Sequence, residues 1–144
     1  MKWSRFVAMS VGVAMLAAAC SSGSADVAID DPWGRTSPKV ATNAAFYMSI
    51  TGGDADDTLV SASADVCGMV ELHETVMNDG VMSMQHLPAG IPVPAGETVS
   101  LEPGGLHVMC MNKTAELEIG QMVSVDLVFE TADPMTVDVE IRDE

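Results

Sequence analysis

Beyond residue 25 the chain shows no run of apolar residues at helical spacing. Apolar and polar positions instead alternate with a period of two in short runs. Residues 45–51 read AFYMSIT. Residues 69–75 read MVELHET, with Val70 and Leu72 on one face and Glu71 and His73 on the other. Val99 and Leu101 alternate within 97–102, Val123, Val125, Leu127 and Phe129 within 122–130, and Val137, Val139 and Ile141 near the end. Turn-forming clusters separate these runs: Gly52-Gly53-Asp54, Asn78-Asp79-Gly80, Pro88-Ala89-Gly90, Pro94-Ala95-Gly96, Pro103-Gly104-Gly105 and Asp133-Pro134. Seven or eight short strands at this spacing predict an all-β antiparallel sandwich or Greek-key barrel.

The first 19 residues break the pattern and read as an export signal. Lys2 and Arg5 give a positive start, and Phe6 to Ala19 is apolar but short for a membrane span. The stretch ends Leu16-Ala17-Ala18-Ala19-Cys20, followed by Ser21-Ser22-Gly23-Ser24. Small residues before a Cys and a Ser/Gly leash after it resemble a bacterial lipobox, although Leu16 stands one place early. Cys20 is then the lipidated first residue of the mature protein, 20–26 a linker, and 27–144 one folded domain on the outer face of the membrane. The alternative is ordinary cleavage after the alanines and a freely secreted protein.

Hydrophobic residues make up 48% of the chain but aromatics only 4%, so the core must be built from Val, Leu, Ile, Ala and Met. The formal net charge is −15, and without Lys2 and Arg5 four basic residues face 21 acidic ones. Such a chain is repelled by nucleic acid and by an anionic bilayer surface. The acids are scattered, as on a solubilising surface. With Cys20 assigned to the lipid, Cys67 and Cys110 remain as an even pair in an oxidising compartment, where a disulfide between neighbouring strands is expected.

Residues 106–111 read Leu-His-Val-Met-Cys-Met. In a strand this sends Leu106, Val108 and Cys110 to the core and sets His107, Met109 and Met111 on the other face. His73, which alternates with Val70 and Leu72, also faces away from the core. The Asn78-Asp79-Gly80 turn makes 69–76 and 81–86 a hairpin that can bring Met84 back towards His73. Two imidazoles and two thioethers form a soft, uncharged ligand set. It suits Cu(I) rather than Zn²⁺, which prefers thiolates and carboxylates, or Mg²⁺ and Ca²⁺, which need oxygens.

These residues are similar to those of the periplasmic copper chaperones called PCuAC, whose pattern is a His, a Met and a closing His-x-Met. Here ten residues separate His73 from Met84, and 22 separate Met84 from His107-Val108-Met109, one more than the family's usual spacer. The words around them also resemble the family: Val70-Glu71-Leu72-His73-Glu74-Thr75, Gly80-Val81-Met82-Ser83-Met84, Val93-Pro94-Ala95-Gly96 and Leu101-Glu102-Pro103-Gly104-Gly105-Leu106. Trp33, Arg35 and Ala44-Ala45-Phe46-Tyr47-Met48 resemble its opening strands, so the likeness covers roughly 27–142. Cys67 and Cys110 depart from it. The resemblance implies a cupredoxin-like Greek-key barrel that binds Cu(I) through His73, Met84, His107 and Met109. It also implies delivery towards the binuclear copper site of cytochrome c oxidase, with the oxidase copper subunit or a thioredoxin-like copper chaperone as partner.

Several neighbours compete with these residues. Met82 and His86 share a face with Met84, so a slip of two positions would substitute either. Met77 and Met111 are read as mobile surface residues. Glu71 and Glu74 are read as solvated carboxylates, although both flank His73 closely enough to orient its free ring nitrogen. A blue-copper site is excluded by the order His-x-Met-Cys and the inward Cys110. No Ser/His/Asp set, carboxylate pair or nucleotide loop points to an enzyme. Copper sequestration without a dedicated acceptor is a second reading, and a structural surface sandwich with an incidental Met/His cluster a third.

Overall fold

The computed structural model describes residues 26–144. The signal segment, Cys20 and all of the proposed linker except Asp26 lie outside the described residues. Ten strands form among the described residues: β1 (Ala28–Arg35), β2 (Ala44–Thr51), β3 (Asp57–Ser63), β4 (Cys67–Asn78), β5 (Val81–His86), β6 (Ile91–Val93), β7 (Thr98–Leu101), β8 (Leu106–Lys113), β9 (Met122–Phe129) and β10 (Met135–Arg142). There is no helix among the described residues. The strands join in the order β5-β4-β8-β7-β2-β1-β10-β9-β3-β6, and β2 also pairs with β8 directly. The sheet curls until β3 packs against β4, so its two halves enclose a common core in the expected all-β Greek-key sandwich.

Alternation builds the strands as expected where both faces are distinct. In β9, Val123, Val125, Leu127 and Phe129 are buried and the residues between them exposed. Phe46, Met48 and Ile50 of β2 meet Val108 of β8 and Leu72 of β4 in the core.

The strand count exceeds the seven or eight expected, for local reasons. β3 buries Asp57, Leu59 and Ala62 rather than every second residue, because its pairing with β9 slips between Leu59 and Ser61. β6 is three residues long and contains Pro92. β1 bulges between Asp30 and Trp33, where Asp31 takes a left-handed φ of 45°, and Asp31 there forms an ion pair with Arg142 at 2.6 Å.

The β4–β5 hairpin carries half of the candidate site. Asp79 and Gly80 both have positive φ, 50° and 79°, as a two-residue hairpin turn that follows the strands' twist requires. On the other side β4 pairs with β8 from Cys67 opposite Lys113 to Glu74 opposite Leu106. Cys67 and Cys110 are joined by a disulfide, with Cα atoms 5.4 Å apart, and Cys110 is fully buried in the core. The bridge ties β4 to β8 from behind the face that carries the imidazoles.

Candidate metal centre

Directly paired residues of antiparallel strands project to the same side of the sheet. His73 of β4 is paired with His107 of β8, and Glu71 with Met109. Across the hairpin His86 is paired with His73, Thr75 with Met84, and Met77 with Met82. One face of three adjacent strands therefore carries His73, His107, Met109, Met84, Met82 and His86. His86, not Met84, stands directly opposite His73. Met84 sits one diagonal away.

His107 lies on the face away from the core, as the alternation indicated, yet it is only 2% exposed. Its ring is 6.3 Å from that of Tyr47, which in turn stacks on Trp33 at 4.6 Å. Tyr47, Thr75, Met82, Met84 and His107 line a cavity of about 250 Å³. A second cavity, of about 220 Å³, shares Tyr47 and Met84 with the first and is bounded by Met109. Met84 lines both cavities, the first with His107 and the second with Met109, and 58% of its surface is exposed. Met109 is half-buried.

The hydrogen bonds of the two imidazoles define what they can do. His107 Nδ1 donates to the Gly105 carbonyl at 3.1 Å, leaving Nε2 as an acceptor. The same carbonyl accepts from the Thr75 backbone N–H at 3.0 Å, which pins the start of β8 to β4 beside the histidines. His73 Nε2 donates to a Glu71 carboxylate oxygen at 2.8 Å, leaving Nδ1 as an acceptor. Both remaining nitrogens, His73 Nδ1 and His107 Nε2, are buried without a hydrogen-bond partner. Buried polar atoms are seldom left so. A ring with one N–H anchored and the other lone pair free is the arrangement of a metal-ligating histidine.

Electrostatics act in the same direction. Burial holds the His107 pKa below the ordinary imidazole range against the Gly105 bond, and the nearby His73 adds to the lowering. The ring is therefore neutral and able to donate its lone pair at neutral pH. The hydrogen bond from His73 keeps the Glu71 carboxyl below its usual range. Glu71 is thus not the solvated carboxylate expected from its place in the strand: it orients a candidate ligand. Glu74 makes no comparable contact with His73 among the described hydrogen bonds.

Among the described residues no three of His, Cys, Asp and Glu already converge on one point. Any ion held here needs the thioethers to complete its shell, which favours a soft ion. Cys110 faces the core in its disulfide and is not available as a ligand. The rivals separate as follows: Met77 and Met82 pair, exposed, near the hairpin tip, and Met111 pairs with Met69 farther along β4. A separate cleft of about 290 Å³, beyond the end of β2, is lined by Asp26, Asp54, Asp56, Asp57 and Asp133 without any His or Met. There Asp57 already accepts backbone N–H groups from Thr58, Thr131 and Ala132.

Comparison with known proteins gives the chain's family and fold. The family model described as "Putative lipoprotein LpqE-like" matches residues 27–141. "Putative lipoprotein Lxx21020" of Leifsonia xyli is 38% identical over 100 residues, 69% of this chain and 60% of that protein. The chain spans 60% and 65% of the lengths of the two curated relatives it matches. Among solved structures, the apo PCuAC domain from PmoF1 superposes with a TM-score of 0.69 at 26% identity, over 85% of this chain and 98% of that one. The solution structure of CuI-DR1885 from Deinococcus radiodurans superposes at 0.66 with 22% identity, over 88% of this chain and 84% of that one.

Proposed function

Because this chain belongs to the LpqE-like family and is of the PCuAC type, we propose that it is an extracytoplasmic Cu(I) chaperone. In this reading His73, Met84, His107 and Met109 hold the ion. One observation carries it: two facing imidazoles, each with one N–H anchored and a buried, unpartnered acceptor nitrogen, on the sheet face that also carries Met84 and Met109. A solved relative carries Cu(I) in its name, which fits the neutral, soft donor set.

Copper is cargo here, not a catalytic cofactor. Two His and two Met fill a cuprous shell and leave no open position for substrate, so the reading is of a carrier and not an enzyme. His107 supplies a rigid, buried donor and Met84 an exposed, movable one. A partner's ligand can displace Met84 first and then draw the ion away by exchange. That asymmetry favours delivery over sequestration. The acceptor proposed is the binuclear copper site of cytochrome c oxidase, reached directly or through a thioredoxin-like copper chaperone. Lipidation at Cys20 would hold the domain, residues 27–144, at the outer face of the membrane, in keeping with the lipoprotein descriptions of its family and relative.

The test is titration with Cu(I) against a competing chelator. One equivalent should bind, and Met109→Ala should weaken it by at least about tenfold. Failure of the parent chain to compete would sink the reading. Transfer to an apo oxidase copper subunit separates delivery from storage.

A further inference from the structure

The two ends of the sheet are built differently. The order of strands begins at β5 and ends at β6, so each has one side without a neighbouring strand. β6 is three residues long and carries Pro92, which has no N–H to donate to a further strand. β5 reads Val81-Met82-Ser83-Met84-Gln85-His86, with no proline, lysine, arginine or acid. It keeps its register with β4 without a bulge and is exposed along its whole length. Edge strands are usually shortened, charged, bulged or interrupted by proline, which stops another chain from pairing with them, and β5 uses none of these devices.

The register shows which backbone groups of β5 are free to pair. The Leu87 N–H donates to the Leu72 carbonyl at 2.8 Å, and the Thr75 N–H points away from β5, to the Gly105 carbonyl. Hydrogen-bonded and non-hydrogen-bonded pairs alternate along an antiparallel ladder. Val81, Ser83 and Gln85 therefore bond to Asn78, Val76 and Glu74, and Met82, Met84 and His86 turn their N–H and C=O groups to the open side.

We propose that this edge pairs with β5 of a second copy of the chain. The two strands run antiparallel, with Met84 opposite Met84 of the second copy and Met82 opposite its His86. In this register every outward group of both strands is used, because each facing pair exchanges two backbone hydrogen bonds. A shift by two residues in either direction leaves an outward residue of each strand unpaired. The strand is thus complementary to itself. Charge favours the same contact. The formal net charge of −15 makes copies repel, but neither β5 nor the following Leu87-Pro88-Ala89-Gly90 holds an acid. The register sets Asp79 of each hairpin turn opposite Ala89 of the other copy, so it meets no acid there. Glu74 of each copy, on β4, stays three strand spacings from the other, roughly 14 Å, a separation that ordinary salt largely screens. Pairing consumes this edge in both copies, and β6 blocks growth at the far end of the sheet, so the assembly closes at a two-fold dimer. A contact of one strand buries less than the roughly 1,200–2,000 Å² of a stable interface, so the dimer is weak, with a dissociation constant on the order of 100 µM. The pairing uses the backbone edge and does not depend on what the histidine cleft holds.

Sedimentation equilibrium of the full chain, kept metal-free by a chelator, tests this between about 10 µM and about 1 mM. The parent should pass from monomer to dimer across that range, without larger species. It should associate more tightly at about 0.5 M salt than at about 0.05 M, where self-repulsion is least screened. Two double variants test the register, since Ser83 stands opposite Gln85 of the second copy. Ser83→Glu with Gln85→Glu sets carboxylate against carboxylate and should weaken the dimer by about tenfold. Ser83→Glu with Gln85→Lys sets carboxylate against ammonium and should associate at least as tightly as the parent. Circular dichroism checks that both variants fold. A parent that stays monomeric at the highest concentration, or a dimer that salt weakens, overturns the proposal. So does a dimer equally strong in both variants, which would form through another part of the chain. Loss of the dimer in both overturns it too, since the second variant keeps opposite charges in contact in the proposed register.

Discussion

His73 and His107 face one another directly across β4 and β8, with ring centres 5.8 Å apart and ring planes inclined by 60°. Each keeps a buried nitrogen with nothing to accept from. Leaving a buried polar group unpaired costs about 1–3 kcal/mol. A metal ion that takes both lone pairs removes that cost. His107→Leu should therefore abolish Cu(I) binding while shifting the urea stability of the apo protein by no more than about 1 kcal/mol, since the lost bond to Gly105 offsets the relief at Nε2. A loss of about 3 kcal/mol or more would mark the ring as a packing element instead.

Glu71 acts one step from the metal. Its carboxylate accepts from the Nε2–H of His73 at 2.8 Å and so leaves Nδ1 with its lone pair free. In Glu71→Gln the amide can flip and offer a donor or a weaker acceptor. Cu(I) affinity should fall by about tenfold, with the fold and melting temperature unchanged. Competition with a Cu(I) chelator reads the first and circular dichroism the second. An affinity equal to the parent's would show the contact to be incidental.

Strand alternation was enough to sort His107 and Met109 from Cys110, because Val108 and Cys110 occupy fully buried positions between and beside them. It could not show that His107 is buried. Its cover comes from Tyr47, 60 positions earlier, and from the hairpin, and periodicity carries no long-range packing. The two-residue turn at Asp79 and Gly80 already implies that His73 meets His86: pairing Asn78 with Val81 and counting outward gives that register. Taking the hairpin only as bringing Met84 towards His73 leaves that register undrawn. β3 was missed because its bulge at Leu59 to Ser61 interrupts the alternation that identifies a strand. Glu71 was misjudged because a carboxylate two residues from a His on a strand looks solvated until the β8 neighbours enclose it.

The disulfide should matter for stability as well as for the site. Cys67 and Cys110 close a loop with a sequence separation of 43, which in the chain-entropy account is worth about 4 kcal/mol. It also clamps the two strands that carry His73 and His107. The paired Cys67→Ala, Cys110→Ala variant should lose about 2–4 kcal/mol of unfolding free energy in urea. Its Cu(I) affinity should fall as well, because the facing imidazoles are no longer held in register. Stability equal to the parent's would mean that the reduced chain is already constrained by packing alone.

The pH dependence follows from His107. Burial lowers its folded-state pKa below that of a free imidazole, about 6.5. In the window between the folded and unfolded values the unfolded chain binds the extra proton, so stability increases with pH there and levels off above about 6.5. Acidification thus removes stability from the apo protein as the pH falls through that window. Cu(I) competes with the proton for the same nitrogen, and a depressed pKa weakens the proton's side of the contest. Copper should therefore stay bound to a lower pH than a solvent-exposed imidazole ligand would allow, and the loaded protein should lose at least as much stability on acidification as the apo form, because the bound ion keeps His107 unprotonated while the unfolded chain still takes up its proton. Urea unfolding of both forms at pH 7.5 and 5.5, together with chelator competition at each pH (values chosen to bracket the ordinary imidazole range of about 6.5), measures the linkage. A smaller loss in the loaded form than in the apo form would show that proton and ion do not compete at His107.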